Sequence, residues 1–353
     1  MRIVALFGRT TAIAAAALLL VFEAVDSFSV TPTAVGFLAN GGRVAWYKGP
    51  AAHDLIAFDA VVDATTLNSE VYTINPDHSG AQCVTCNAGL RKGFVGQPTW
   101  HPDGSHLVIQ VENDNSKHTM YNHMAWGFDN DLWIISRDGT GAELIWATPQ
   151  GYAALHPQFN ADGTKLIFAE RIVTDAVPPN PWDNWRIRMA DVDLSRAGTD
   201  KLFNVATLLP NGSGFYETHE FTSNGRIVYS HTDGGQAYVD DIYTANADGT
   251  SPVNLTNSPA TWDEHGHFSP FNQALAFVSS RFDPNSGTAL TLRTELYVSP
   301  PGGTPQRLTF YNKTDTDKYI VKDFDWNRSG TKIVYLLWGS TLKSPQLWMM
   351  SFS

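Results

Sequence analysis

An all-β fold, with six antiparallel sheets packed radially as a six-bladed β-propeller, is predicted by three observations. An aromatic residue followed by a polar turn and a β-rich run recurs six times, at Trp46, Trp100, Phe159, Phe221, Phe268 and Trp326, spaced 47 to 62 residues apart. The turns carry Asp-Gly or Asn-Gly at 103–104, 138–139, 162–163, 224–225 and 248–249, residues that tolerate the positive φ of tight hairpins. Beyond the first 30 residues no stretch keeps a 3.6-residue apolar period, so helices contribute little. One four-stranded meander cannot cover both of its faces, whereas six arranged radially bury each face against a neighbour.

The units follow in order. The first joins Trp46, LIAFDAV at 55–61 and SEVYTINPDHSGAQCVT at 69–85. The second runs from Trp100 through HPDGSH and LVIQVE to DLWIISRDGTGAELIWA, ending at 147. Phe159 opens the third with NADGTK and LIFAE, and Phe221 the fourth with TSNG, RIVYS and DIYTANADGTSPVNLT. Phe268 begins the fifth, with ALAFVSS at 274–280 and ELYVSPPGGTPQRLT at 295–309. The sixth, from Trp326, holds KIVYLLW and QLWMMSF, three strands where four are needed. The segment around Ala34–Leu38 is expected to fill the vacant outer place and close the ring.

Ahead of the repeats, Arg2 and Arg9 precede an apolar run, Ala12–Phe22, followed by small and polar residues to Ser29. Residues 1–29 read as a secretory signal peptide and residues 30–353 as one propeller domain, secreted or periplasmic, monomeric and without a membrane span. In an exported chain the only two cysteines, Cys83 and Cys86, read as a local disulfide clasp; a redox dithiol or half a zinc site would use the same spacing. The net charge of −11 repels a phosphate backbone, which excludes nucleic acid as a partner. No Walker loop or dinucleotide fingerprint is present, so no nucleotide cofactor is expected.

Ligands of propellers collect at the channel mouth, which directs attention to the residues entering each anchor aromatic. They read LHPQF at 155–159, ETHEF at 217–221, DEHGHF at 263–268 and KDFDW at 322–326. His156, Glu217, His219, Glu220, Glu264, His265, His267, Asp323 and Asp325 are therefore the candidate site residues. On a regular strand His265 and His267 point to the same side and converge on one ion, with His219 and His156 from the two preceding units completing a ring of imidazoles. Nitrogen and oxygen ligands of this kind suit a divalent ion such as Mn, Zn or Ca. His219 lies two residues before its aromatic, whereas His156 and His265 lie three before theirs, so a bulge near Glu220 is expected. The plainer reading is that these side chains cap strand ends and bond neighbouring loops. His118 and His123 either roof the same mouth or lie on a loop surface. Trp182 and Trp185, beside Arg186 and Arg188, read either as a sugar-stacking platform or as blade packing next to an ordinary third strand.

HPDG at 101–104, ADGTKLIF at 161–168, DIYTANADGTSPVNLT at 241–256 and SPFNQALAFVSSR at 269–281 resemble the TolB-type propeller repeat, and the likeness runs from about Trp46 onward. It implies the propeller fold and leaves the ligand open. More locally, His-Glu-Phe at 219–221 followed by His-x-His at 265–267 is similar to the metal-binding region of oligogalacturonate lyases. That resemblance implies a divalent cation on His219, His265 and His267, and β-elimination on an acidic oligosaccharide. The expectation is an exported propeller that binds a ligand or an extracellular or envelope protein at its mouth through a divalent ion. The alternatives are a metal-dependent lyase of oligouronides and a protein-binding scaffold without a small ligand.

Overall fold

The structure is a computed structural model and describes residues 31–49, 53–173, 180–233, 238–288 and 290–352; the expected leader, 1–29, lies outside them. The first strand of the described residues is β1 (Pro32–Asn40). Blade 1 is β2 (Val44–Trp46), β3 (Ile56–Val61), β4 (Ser69–Ile74) and β5 (Gln82–Cys83); blade 2 is β6 (Val95–Trp100), β7 (His106–Glu112), β8 (Asn130–Ser136) and β9 (Glu143–Trp146). Blade 3 holds β10 (Ala153–Phe159), β11 (Lys165–Arg171), β12 (Trp185–Val192) and β13 (Leu202–Leu208); blade 4 holds β14 (Gly214–Phe221), β15 (Ile227–Asp233), β16 (Asp241–Ala245) and β17 (Val253–Asn254). In blade 5 come β18 (Asp263–Phe268), β19 (Leu275–Ser279), β20 (Glu295–Ser299) and β21 (Gln306–Arg307), and in blade 6 β22 (Tyr319–Trp326), β23 (Lys332–Gly339) and β24 (Gln346–Phe352).

Every sheet has four antiparallel strands, and each anchor aromatic is the last residue of an innermost strand. Blade 6 is completed by β1, which pairs with β24 from Pro32 opposite Phe352 to Asn40 opposite Gln346. The first and last described strands thus share one blade, as the three-stranded sixth unit predicts. The core lies between blades: Val108 and Ile134 of blade 2 pack with Leu166, Phe168 and Ala190 of blade 3, all nearly inaccessible to water. No helix among the described residues is long and apolar enough to cross a membrane.

The innermost strands of blades 2 to 6 each carry a bulge where one extra residue enters the ladder. In four of them a non-glycine residue three places before the anchor takes a left-handed conformation: Gln97 (φ 51°), His156 (49°), His265 (54°) and Asp323 (36°). The extra residue abolishes simple alternation, so these side chains turn toward the channel axis beside their neighbours instead of opposite them. In blade 4 the interruption falls at His219, between Thr218 and Glu220. The bulge expected near Glu220 is there, but it belongs to a series.

Cys83 and Cys86 form a disulfide around a short loop leaving β5. Closing so small a loop removes about 2 kcal/mol of unfolded-state entropy. The Cys83→Ala/Cys86→Ala variant is therefore expected to melt about 4 °C lower in a thermal scan, with the blade count and far-ultraviolet spectrum unchanged.

Candidate metal centre at the channel mouth

Three innermost strands bring four buried donors together. His156 comes from β10, Glu217 and His219 from β14, and His265 from β18, and one ligand atom from each lies within 4.8 Å of all the others. Glu217 Oε1 is 2.7 Å from His156 Nε2 and 3.5 Å from His265 Nδ1. The imidazole centroids stand 5.4 to 6.1 Å apart.

These atoms converge without satisfying one another. Glu217 Oε1, His219 Nδ1 and both ring nitrogens of His265 are buried and have no hydrogen-bond partner. A buried polar atom left unpaired costs about 1–3 kcal/mol, so four together are a costly arrangement unless a ligand satisfies them. His219 Nε2 bonds Ser230 Oγ at 2.6 Å, which fixes the ring and leaves Nδ1 free. Burial pushes His156, His219 and His265 well below the usual imidazole range, so all three are neutral, the form that ligates a metal. The donor chemistry fits a divalent cation held by three nitrogens and one carboxylate oxygen.

Cations stand on the same floor. Arg43 Nη1 lies 3.1 Å from His156 Nε2 and 3.5 Å from Asp323 Oδ2. Asp59 anchors the Arg43 strand by accepting the backbone N–H groups of Arg43 at 3.2 Å and Gln97 at 3.0 Å. Gly42 and Gly96 make that approach possible, since a Cβ at either would fall 2.0 or 2.6 Å from an Asp59 carboxylate oxygen. Burial raises both Asp59 and Asp323 to about 6. Glu264 Oε2 lies 3.2 Å from His265 Nε2, and burial beside Glu217 pushes Glu264 and Asp240 well above the carboxylate range.

Above this floor opens a cavity of about 1030 Å³, lined by residues from all six blades, including Arg43, Glu217, Glu264 and Lys322. The connection between β7 and β8, with its single 3-10 turn at Met120–Asn122, roofs it, and both His118 and His123 line it. Burial lowers His123 to about 3.

Solved structures share this architecture. A protein assigned as TolB from Agrobacterium tumefaciens matches with a TM-score of 0.54 at 17% identity, over 80% of this chain and 85% of its own. The chain has the TolB-like propeller fold. An oligogalacturonate lyase in complex with manganese matches with a TM-score of 0.54 at 13% identity, covering 92% of this chain and 96% of that one. The oligogalacturonate lyase of Vibrio parahaemolyticus gives 0.50 at 12% identity with the same coverage. No protein-family model and no curated protein matches the sequence.

In this TolB-like propeller the expected residues divide by role. His267 stands outside the cluster: the bulge at His265 breaks the same-side relation of the pair, and His267 Nδ1 instead faces Glu220 Oε2 at 3.5 Å while its ring meets Phe324 edge-on. Glu220 and Asp325, each one residue before its anchor, brace neighbouring blades by accepting the N–H of Phe268 at 2.7 Å and of Trp46 at 2.8 Å. Asp325 also pairs with Lys48. Trp185 is core, and Arg186 pairs with Glu170, so WRIRM is an ordinary third strand; Trp182 lies half-buried on the cavity wall, which the buried Trp185 also lines. Arg43, Gln97 and Lys322 were not singled out by residue type. Arg43 and Gln97 occupy the same place relative to their anchors as His156 and His265, and Lys322 the place of Glu217 and Glu264.

Proposed function

We propose that the protein is an exported ligand-binding propeller whose mouth holds a divalent cation on His156, Glu217, His219 and His265, and through it a carboxylate-bearing ligand in the cavity above. The supporting observation is the convergence of four buried donors, three of which, Glu217, His219 and His265, carry atoms without a hydrogen-bond partner. Their imidazole-rich character suits Zn or Mn; Ca takes six to eight oxygens, which these residues do not provide. A cation there supplies a positive centre for a carboxylate, while Arg43 and Lys322 place further positive charge on the same floor.

The test is elemental analysis of the purified protein after dialysis against Mn or Zn, beside His219→Ala/His265→Ala and His267→Ala variants. One equivalent of metal is expected in the parent and in His267→Ala, and none in the double variant. A metal present at about 100 times its Kd should add about 2.7 kcal/mol of stability to the parent and to His267→Ala, and none to the double variant. No bound ion after metal is supplied, or an ion retained by the double variant, would remove the reading.

The structural likeness to a manganese-bound oligogalacturonate lyase supports a second reading, β-elimination on an oligouronide. In that reaction a base takes the proton beside the carboxylate, the C–H electron pair forms a C=C bond as the glycosidic C–O bond breaks, and the departing sugar oxygen takes up a proton, leaving an unsaturated product. Ultraviolet absorbance that grows on incubation with oligogalacturonate and is lost with the metal would establish it.

A further inference from the structure

In blades 1 to 5 the loop between the second and third strands places a large apolar residue on the cavity wall: Leu67 in blade 1, Trp126 in blade 2, Trp182 in blade 3, Tyr238 in blade 4 and Leu292 in blade 5. Trp338, at the end of β23, completes the circle from blade 6. The aromatic members pack across blades, with Trp182 in edge contact with Trp126 at 5.1 Å and with Tyr238 at 5.3 Å. This fixes a crescent of rings above the charged floor. Leu67 and Trp338 remain about half exposed, at 53% and 52%.

Charge is distributed in the opposite sense. Among the described lining residues Arg43 and Lys322 are the Lys and Arg side chains, and both belong to the floor. Arg43 is committed to Asp323 and His156, whereas the Lys322 side chain makes no hydrogen bond or ion pair among the described residues and feels the carboxylates of Glu264, Glu217 and Asp323 only through space. It lines the cavity from the same register position as Glu217 and Glu264. An unpaired ammonium at the base of an apolar cavity is complementary to one carboxylate. An oligouronide presents a carboxylate on every ring and polar hydroxyls around each, whereas the wall above the floor is mostly apolar, with Thr65, Thr66, Thr119 and Ser344 as uncharged polar members and no Lys or Arg among its described residues.

We propose that the ligand is an amphipathic monocarboxylate: one carboxylate seated on Lys322 and the cation, and a flat apolar body lying against Trp126, Trp182 and Tyr238. This deepens the ligand-site reading above and rests on it for the location of the carboxylate. The volume accommodates a ligand of several fused rings.

Three probes separate the requirements: 1-pyrenebutyrate has both parts, 1-pyrenebutanol has the body without the charge, and digalacturonate has the charges without the body. Binding is followed by fluorescence anisotropy of the pyrene probes on the metal-supplied, full-length mature protein, with digalacturonate as competitor. Pyrenebutyrate should bind, pyrenebutanol and the Lys322→Met variant should each be weaker by about tenfold or more, as expected for losing a hydrogen bond to a charged group, and digalacturonate should not compete. Trp182→Ala should weaken pyrenebutyrate, and Trp338→Ser, a half-exposed position whose change leaves the core intact, should weaken it as well. Equal binding of butanol and butyrate, displacement by digalacturonate, or full affinity in both Trp variants would overturn the proposal. Pyrenebutyrate binding that survives in His219→Ala/His265→Ala but is lost in Lys322→Met would remove the cation from the site and leave the ligand class standing.

Discussion

Deleting residues 31–40 should lower the melting temperature by on the order of 10 °C. β1 supplies the fourth strand of blade 6, and without it the whole edge of β24 is bare. The loss includes Leu38, only 4% exposed, whose transfer to water costs about 1.5–3 kcal/mol. It also includes the β1–β24 ladder, the Thr33 Oγ1 bond to Ser351 O, and the edge contact of Phe37 with Trp348. A total on the order of 5 kcal/mol, at about 2 °C per kcal/mol for a chain of this size, gives the stated shift. Circular dichroism melts of the two forms check it, and adding a peptide of residues 31–40 should restore part of the loss. Coincident melts would show that the ring holds without its closing strand.

Arg43→Ala is the second large effect, expected to cost about 3–5 kcal/mol near pH 8, the range for stranding a buried charge. Arg43 lies with Asp323 and beside Asp59, both buried and both raised to about 6. A carboxyl whose folded pKa exceeds its unfolded value stabilises the fold at low pH and loses that contribution as pH rises through about 6. Above that pH the carboxylates are charged and Arg43 is their counter-ion; near pH 5 they are largely protonated and need it far less. The deficit of Arg43→Ala relative to the parent should therefore shrink markedly between pH 8 and pH 5 in denaturant titrations, and Asp323→Asn should recover part of it at pH 8. A deficit independent of pH would mean that Arg43 contributes packing alone.

The architecture was legible because its signals are local and repeated. Each anchor aromatic ends an innermost strand, and each Asp-Gly or Asn-Gly step closes a turn, so six weak copies reinforce one another. The site was legible in part. His156, Glu217, His219 and His265 could be picked out by residue type near the anchors, and they meet. His267 could not be separated from His265, because the same-side rule for residues two apart holds only on an unbroken strand, and the bulge depends on tertiary packing that no spacing reveals. Arg43, Asp59 and Lys322 escaped notice for a related reason: a lone basic or acidic residue acquires meaning only when the register shows which neighbours share its level of the channel. The aromatic crescent draws on loops of different length from separate blades, so no periodicity marks Trp126, Trp182 and Tyr238 as one surface.

The left-handed residues of the inner strands carry a consequence for the evolution of heat resistance. Histidine at positive φ is strained by about 1–3 kcal/mol, and glycine at the same place is not. His156 and His265 are two such residues, and both belong to the donor cluster. Glycine at either place would relax the backbone, and at 265 it would also remove a crowded, unpaired imidazole, so stability and ligation pull in opposite directions at the same two codons. A lineage selected only for surviving higher temperature would drift toward a sturdier ring with an empty mouth; one that keeps both histidines is retaining them against that gradient, for what they hold.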